Sequence, residues 1–248
     1  MTTPTATILS VTEYQERIRN IYSSIDKASV PNQVSPTIVA VSKTYPPEAI
    51  MRAYQAGMRH FGENRVPELA EKATALTAPI ILHFIGRLQS NKIRNLLKIP
   101  GLKYIHSVHS LEILEFIYKT YRDNSTNIDS PLYYFLQVNT SAEDQKAGFD
   151  NYSDIAQCFQ RALELQSGLN NLQCCGLMTM GKIRTDDLLA DAHHCFSLLQ
   201  SYRTQLERTY AHHIQHPLQL SMGMSQDYLV ATQHQSSFLR IGSAIFEK

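Results

Sequence analysis

Residues 37–43, TIVAVSK, decide the fold. The run is apolar without alternation and rich in β-branched side chains, as expected of a parallel strand that is covered on both faces. Pro46 and Pro47 then stand where a helix can begin, and Gly57 stands where that helix can end. Strand, turn and helix in this order form the repeating unit of α/β proteins.

The same unit recurs along the rest of the chain. Helical patterns separate further strand candidates, which read RHFGEN, IILHFIG, YIHSVHS, YYFLQVN, CCGLMTMG, LQLSMG and FLRIGSAIF. Eight strand candidates without a break in composition favour a closed barrel over an open doubly wound sheet. The sequence therefore predicts a (β/α)₈ barrel of TIM type, with residues 1–248 as a single domain.

An additional helix is predicted ahead of the barrel. Ser10 and Glu13 form a capping-box pattern, in which each side chain bonds the backbone of the other residue. Apolar residues follow at steps of three and four, which places one stripe on a helix: Val11, Tyr14, Ile18, Ile21 and Ile25. Residues 1–36 thus supply a helix and a lead-in, and we expect the helix to cover the last strand.

Composition excludes several classes of protein. The 23 Lys and Arg against 22 Asp and Glu leave a net charge of +1. Such a balanced chain has no overall positive potential that would attract the phosphates of a nucleic acid. The four cysteines contain no CxxC pair and no disulfide framework, as is usual in a reducing cytosol. No apolar run reaches the roughly 20 residues that cross a bilayer. We expect a cytoplasmic protein without a membrane segment.

The carboxyl ends of barrel strands carry function, so their polar residues are the candidates for a site. Lys43 ends the first strand, where we expect its ammonium to lie over the barrel mouth and to be partly desolvated. Desolvation lowers the pKa of a lysine and frees its amine as a nucleophile. The alternative is a surface lysine that opens a loop.

The last two strands predict a phosphate site. Ser225 follows the seventh strand, and Gly242 and Ser243 follow the eighth, so adjacent loops offer hydroxyls and open backbone N–H groups. Simple turn chemistry is the alternative for such small residues. Arg240 precedes Gly242 by two positions and should point to the same side of the sheet.

The second and third strands offer weaker candidates. Glu63 and Asn64 close the second strand, and His83 lies within the third. Each could face the site or pack beneath it, and a satisfied core histidine is as reasonable as a ligand contact for His83. The remaining histidines lack the spacing of a metal site. No nucleotide-binding loop or hydrolase elbow is present.

Seven strings in order along the chain resemble the pyridoxal phosphate homeostasis protein family, which is similar to the N-terminal barrel of alanine racemase. They are VAVSKTYP, HFGENRVPE, HFIGRLQSNK, HSVHS, GLMTMG, SMGMSQD and RIGSAIF. The resemblance implies pyridoxal 5'-phosphate (PLP) held as a Schiff base on Lys43. It further implies that Ser225, Gly242 and Ser243 hold the phosphate, that Arg240 faces the pyridine nitrogen, and that Asn64 lies beside the ring.

Three functions are compatible with such a site. The first is a non-catalytic, monomeric carrier in vitamin B6 homeostasis, which hands PLP to apo-enzymes or binds a regulatory protein. A cationic Arg240 would weaken the electron sink of the ring, which favours this hypothesis. The second is a racemase-like PLP enzyme with an acid or base from Tyr45, His83 or a partner chain. The third is a Schiff-base aldolase that acts on sugar phosphates.

Overall fold

Eight parallel strands close into a barrel in the computed structural model, which describes residues 8–123, 131–143, 145–167, 169, 171–182 and 185–247. The strands pair in sequence order, and β8 returns to β1. The predicted barrel is confirmed. The strands are β1 (Thr37–Val41), β2 (His60–Glu63), β3 (Ile81–Phe84), β4 (Leu102–Val108), β5 (Leu132–Gln137), β6 (Leu172–Met178), β7 (Gln219–Ser221) and β8 (Phe238–Ile241).

Helices cover the outside of the barrel, and one follows each strand. Those in the described part of the chain are α1 (Val11–Ala28), α2 (Pro47–Gln55), α3 (Val66–Ala75), α4 (Ser90–Leu96), α5 (Leu111–Asp123), α6 (Tyr152–Gln166), α7 (Leu188–Thr209), α8 (Tyr228–Gln233) and α9 (Ser243–Phe246). None of these helices is long and apolar enough to cross a membrane.

The first helix forms as its sequence pattern predicts. The Ser10 side chain accepts a hydrogen bond from the Glu13 backbone N–H, and the Glu13 carboxylate accepts one from the Ser10 backbone N–H. The predicted stripe is buried from Tyr14 to Ile25. α1 packs against α8 and α2, the helices on either side of the β8 and β1 pair.

The first helix is also joined to the last one by aromatic rings. Tyr14 meets Phe246 edge-on, with ring centroids 5.7 Å apart. Phe246 in turn stacks on Tyr45, with centroids 4.8 Å apart. The Arg17 guanidinium donates to the backbone carbonyls of Ile245 and Glu247. The segment that follows Lys43 is thereby tied to both α1 and α9.

The core has two layers. Most buried apolar side chains lie between the strands and the helices. A smaller cluster fills the barrel interior, as expected of a packed barrel rather than a pore, and consists of Val39, Phe135, Met178 and Phe238. The rings of three histidines surround Phe238 within 5.7–6.4 Å, so the interior is partly polar.

Candidate functional site

The ends of β1 and β8 meet at the barrel mouth. Val39 pairs with Arg240 and Ala40 with Ile241. A Cβ added to Gly242 would lie 3.5 Å from Val41, so the two strands remain adjacent where they end. Lys43 lies two residues beyond β1, at the same edge of the sheet as Gly242 and Ser243.

Lys43 is more exposed than we expected. The strand ends at Val41, Ser42 is fully buried, and the chain reaches the surface at Lys43. The expectation of partial desolvation is therefore wrong, because Lys43 lies past the packed end of the strand. Thr44 adopts a φ of 70°, an unusual conformation for a residue other than glycine, and turns the chain immediately after Lys43.

A buried ion pair lies beneath Lys43. The Lys72 Nζ of α3 is 2.5 Å from the Glu63 Oε1 and donates to the Ser42 carbonyl at 2.9 Å. The Ser42 hydroxyl donates to the same carboxylate oxygen at 2.6 Å. Glu63 thus packs beneath the site rather than facing it. These three residues hold the backbone that immediately precedes Lys43 and Asn64.

Asn64 is exposed at the end of β2. Its backbone is held from the β3 side by Gly86. A Cβ added to Gly86 would lie 1.9 Å from the Asn64 carbonyl oxygen, far inside van der Waals contact. Only glycine allows the two backbones to approach this closely.

The loops after β7 and β8 are joined by Ser225. Its hydroxyl oxygen accepts long hydrogen bonds from the backbone N–H groups of Gly242, at 3.3 Å, and Ala244, at 3.4 Å. Ser243 is exposed and Gly242 is partly buried. The structure therefore brings the predicted phosphate residues together. The Asp227 carboxylate closes the first loop by accepting from the Met224 N–H at 2.6 Å.

Arg240 points into the barrel, directly below this mouth. Its Nη1 donates to the Ser221 hydroxyl at 2.6 Å, and its Nη2 donates to the Thr179 carbonyl at 2.8 Å. Burial lowers the pKa of Arg240 to about 10, and the nearby Asp227 carboxylate opposes that shift. The guanidinium is therefore charged at neutral pH. These two bonds use two of its five N–H groups.

Three histidines continue from Arg240 across the barrel interior. The His106 Nδ1 is 2.7 Å from the Ser221 hydroxyl, and its Nε2 is 2.8 Å from the His83 Nδ1. The His83 Nε2 is 2.9 Å from the His60 Nδ1. Burial lowers the pKa of His83 and of His106 well below the usual value, with charge repulsion second, so both rings are neutral. The geometry thus favours the core interpretation of His83.

Sequence reasoning assigned no role to four residues that organise this site: Lys72, His106, Ser221 and His60. Lys72 follows Val66 and Leu69 on the buried face of α3, and a lysine in an apolar stripe requires a buried partner. His106 alternates with Tyr104 and Val108 on β4, which predicts an inward ring. Those two positions could have been found from the sequence. His60 precedes His83 by the same 23 residues by which His83 precedes His106, one strand-helix unit, whereas Ser221 carries no comparable signal.

Tyr45 lies near the barrel mouth, two residues after Lys43. Burial raises the pKa of Tyr45, with the Glu247 carboxylate second, so its hydroxyl is protonated at neutral pH. Its ring stacks on Phe246. Within the described ranges, no group of three or more His, Cys, Asp or Glu side chains is arranged to hold a metal ion. The interior histidines instead use their nitrogens on one another.

The closed barrel agrees with the class of protein that the sequence comparison identifies, that of the alanine racemase N-terminal domain. The family model described as "Alanine racemase, N-terminal domain" matches residues 15–247. Within that class, the chain belongs to the pyridoxal phosphate homeostasis protein family. The member from Schizosaccharomyces pombe is 37% identical over 84% of this chain and 82% of its own length. The human member is 34% identical over 86% of this chain and 76% of its own length.

Solved structures agree with this assignment. PipY of Synechococcus elongatus, with PLP bound, has a TM-score of 0.77 at 29% identity and covers 94% of this chain and 99% of its own. An alanine racemase from Streptomyces coelicolor has a TM-score of 0.71 at 13% identity and shares the fold. This chain covers 58% of that racemase. The resemblance read from the seven sequence strings is confirmed.

Proposed function

We propose that this chain binds PLP at the barrel mouth as a Schiff base on Lys43, and that it serves vitamin B6 homeostasis as a carrier rather than as an enzyme. The Lys43 primary amine would hold PLP through its aldehyde, and the condensation would release one water. A single domain over residues 1–248 is part of the proposal. The family membership and the PLP-bound PipY structure support it.

One observation carries the proposal. β1 pairs with β8, so Lys43 and the loop that begins at Gly242 follow adjacent strand ends. The Ser225 hydroxyl and the Gly242 and Ala244 N–H groups already interact there, through bonds of 3.3 and 3.4 Å. A phosphate oxygen is a stronger acceptor for such donors than a neutral hydroxyl. Lys43, Ser225, Gly242 and Ser243 therefore suit a phosphorylated aldehyde.

Arg240 and Asn64 would contact the other parts of the ligand. The guanidinium has N–H groups beyond those bonded to Ser221 and Thr179, and we assign one of them to the pyridine nitrogen. Exposed Asn64 would lie beside the ring. His83 would act on the site indirectly, because hydrogen bonds connect it through His106 and Ser221 to Arg240.

A weak electron sink favours a carrier. When bound, PLP can draw electrons from an α-carbanion, and its power depends on what the protein places against the pyridine nitrogen. A charged guanidinium disfavours protonation of that nitrogen. Tyr45 would be a poor base at neutral pH because its pKa is raised, and both ring nitrogens of His83 are engaged.

We place this role in the cytoplasm and in a monomer that delivers PLP to apo-enzymes or responds to a regulatory protein. The four cysteines are free thiols, either buried or partly buried, which is compatible with a reducing compartment. The net charge of +1 supports a small-molecule ligand rather than nucleic acid.

The test is an absorbance spectrum of the purified protein with PLP, before and after borohydride, followed by mass spectrometry of the reduced peptide. We expect an imine band that borohydride removes and a pyridoxyl group on Lys43. Lys43→Ala should lose the band. Lys43→Arg should lose it too, because it keeps the charge but not the primary amine.

Lys182→Ala is the matched control, because Lys182 also lies beyond a strand end but pairs with Asp191 at 2.8 Å. This variant should keep the band. A pyridoxyl group on another lysine would contradict the assignment. Amino-acid racemisation or α-proton exchange at enzyme-like rates, above roughly 1 s⁻¹ and lost in Lys43→Ala, would favour the racemase-like alternative.

A further inference from the structure

The barrel interior contains a continuous chain of hydrogen-bonded polar side chains that would not contact the ligand in the proposed function. β2, β3 and β4 each contribute one inward histidine, and these rings are joined nitrogen to nitrogen at 2.9 and 2.8 Å. Ser221 connects the last ring to the Arg240 guanidinium through contacts of 2.7 and 2.6 Å. We call His60, His83, His106 and Ser221 the lumen relay.

Arg240 determines the direction of the bonds. A guanidinium has five N–H donors and no acceptor, so Arg240 can only donate to the Ser221 oxygen. A hydroxyl has one hydrogen, and the remaining side-chain partner of the Ser221 Oγ in the described chain is the His106 Nδ1. When the Ser221 hydroxyl donates this hydrogen to the His106 Nδ1, its oxygen accepts from Arg240 and its hydrogen has an acceptor.

The opposite direction leaves Ser221 unsatisfied. If His106 donated from Nδ1, the Ser221 oxygen would accept two hydrogen bonds, one from His106 and one from Arg240. The hydroxyl hydrogen of Ser221 would then have no side-chain acceptor among the described residues. Ser221 is fully buried, and a buried donor without an acceptor costs free energy. The first direction is therefore preferred.

The direction propagates through the rings because each neutral imidazole has one donor and one acceptor. His106 accepts at Nδ1, so its hydrogen is on Nε2 and is donated to the His83 Nδ1. His83 then carries its hydrogen on Nε2 and donates it to the His60 Nδ1. His60, which is partly buried at the start of β2, is left with its hydrogen on Nε2.

We propose that the lumen relay is a polarised chain in which all three histidines carry hydrogen on Nε2, and that it positions Arg240 beneath the ligand. His106 and Ser221 are thus positioning residues, and they connect the ligand site to the opposite face of the barrel. The part that concerns the ligand rests on the proposed function. The polarity itself does not.

The test is ¹⁵N NMR of the ligand-free protein, labelled at histidine, with the ring signals assigned by single substitutions. We expect a protonated Nε2 and an unprotonated Nδ1 at His60, His83 and His106. In Ser221→Ala, His106 should lose its preference for carrying hydrogen on Nε2, because the hydroxyl that donates to its Nδ1 is removed. A protonated Nδ1 at His83 or His106 in the native protein would overturn the relay.

A second histidine pair provides the internal control. The His193 Nδ1 and the His234 Nε2 are 3.0 Å apart on the exposed surface. His193→Ala should leave the relay signals unchanged. A relay shift in His193→Ala as large as that in Ser221→Ala would also overturn the proposal.

Ligand retention separates the positioning role from a merely structural one. Ser221→Ala should weaken PLP binding roughly tenfold, the loss of one hydrogen bond to a charged group, while the pyridoxyl group stays on Lys43. Ser221→Thr, which keeps the hydroxyl, should restore binding. Unchanged PLP affinity in Ser221→Ala overturns the positioning role. The expected tautomers without any PLP binding would overturn the proposed function and leave the polarity standing.

Discussion

Replacing Lys72 by Met is a demanding test of the ion pair beneath the site. The Lys72 side chain is 9% exposed and that of Glu63 1%, so Lys72→Met would leave a carboxylate buried with the Ser42 hydroxyl as its remaining partner in the network. Breaking a buried pair from one side costs about 3–5 kcal/mol of unfolding free energy. For a chain of this length, that corresponds to a fall in Tm of roughly 6–20 °C.

The double variant Lys72→Met with Glu63→Gln removes both charges and should recover most of the loss, because replacing a whole buried pair is often nearly neutral. Thermal and urea unfolding of ligand-free protein measure both effects. Arg65→Met is the matched control, since its pair with Glu68 at the start of the same helix is exposed, and we expect a change below about 1 kcal/mol. The reasoning is refuted if Lys72→Met costs no more than Arg65→Met, or if the double variant is no more stable than Lys72→Met.

Two further predictions concern backbone approach and pH. Gly86→Ala should destabilise the protein by about 1–3 kcal/mol in urea unfolding and weaken PLP retention, because its Cβ would collide with the Asn64 carbonyl; unchanged stability and retention would contradict this. His83 and His106 have lowered pKa values in the folded state, so the unfolded chain binds more protons as pH falls below about 6.5. Unfolding free energy should therefore be retained above that pH and fall below it by about 1.4 kcal/mol per pH unit for each histidine. Urea titrations from pH 7 to 5 measure the slope, and a flat profile would speak against neutral buried rings.

The fold could be predicted because its signals are local. A continuous apolar run such as that of β1 identifies a parallel strand, and the stripe from Tyr14 to Ile25 identifies α1. Each unit repeats the same order, and closure into a barrel follows from the number of units. Arg240 could be placed in the interior because the strand period of two relates it to Gly242.

The hydrogen bonds beneath the mouth could not be predicted, even where single members could, because they depend on distances between strands. His60, His83 and His106 recur at intervals of 23 residues, but this spacing alone does not bring their rings within hydrogen-bond reach, which depends on the register between β2, β3 and β4. The expected desolvation of Lys43 failed for a related reason. A strand pattern locates the end of the strand but does not tell how far the packed interior extends beyond it.

The ring contacts between Tyr14, Phe246 and Tyr45 have a practical consequence. Two helices far apart in sequence meet around one aromatic ring, and the third ring of the stack is two residues from the proposed Schiff-base lysine. A fusion partner or deletion that displaced the first helix would thus disturb the binding end of the barrel, although the helix lies on the outer surface. Engineering of this scaffold should treat that helix as part of the pocket's frame.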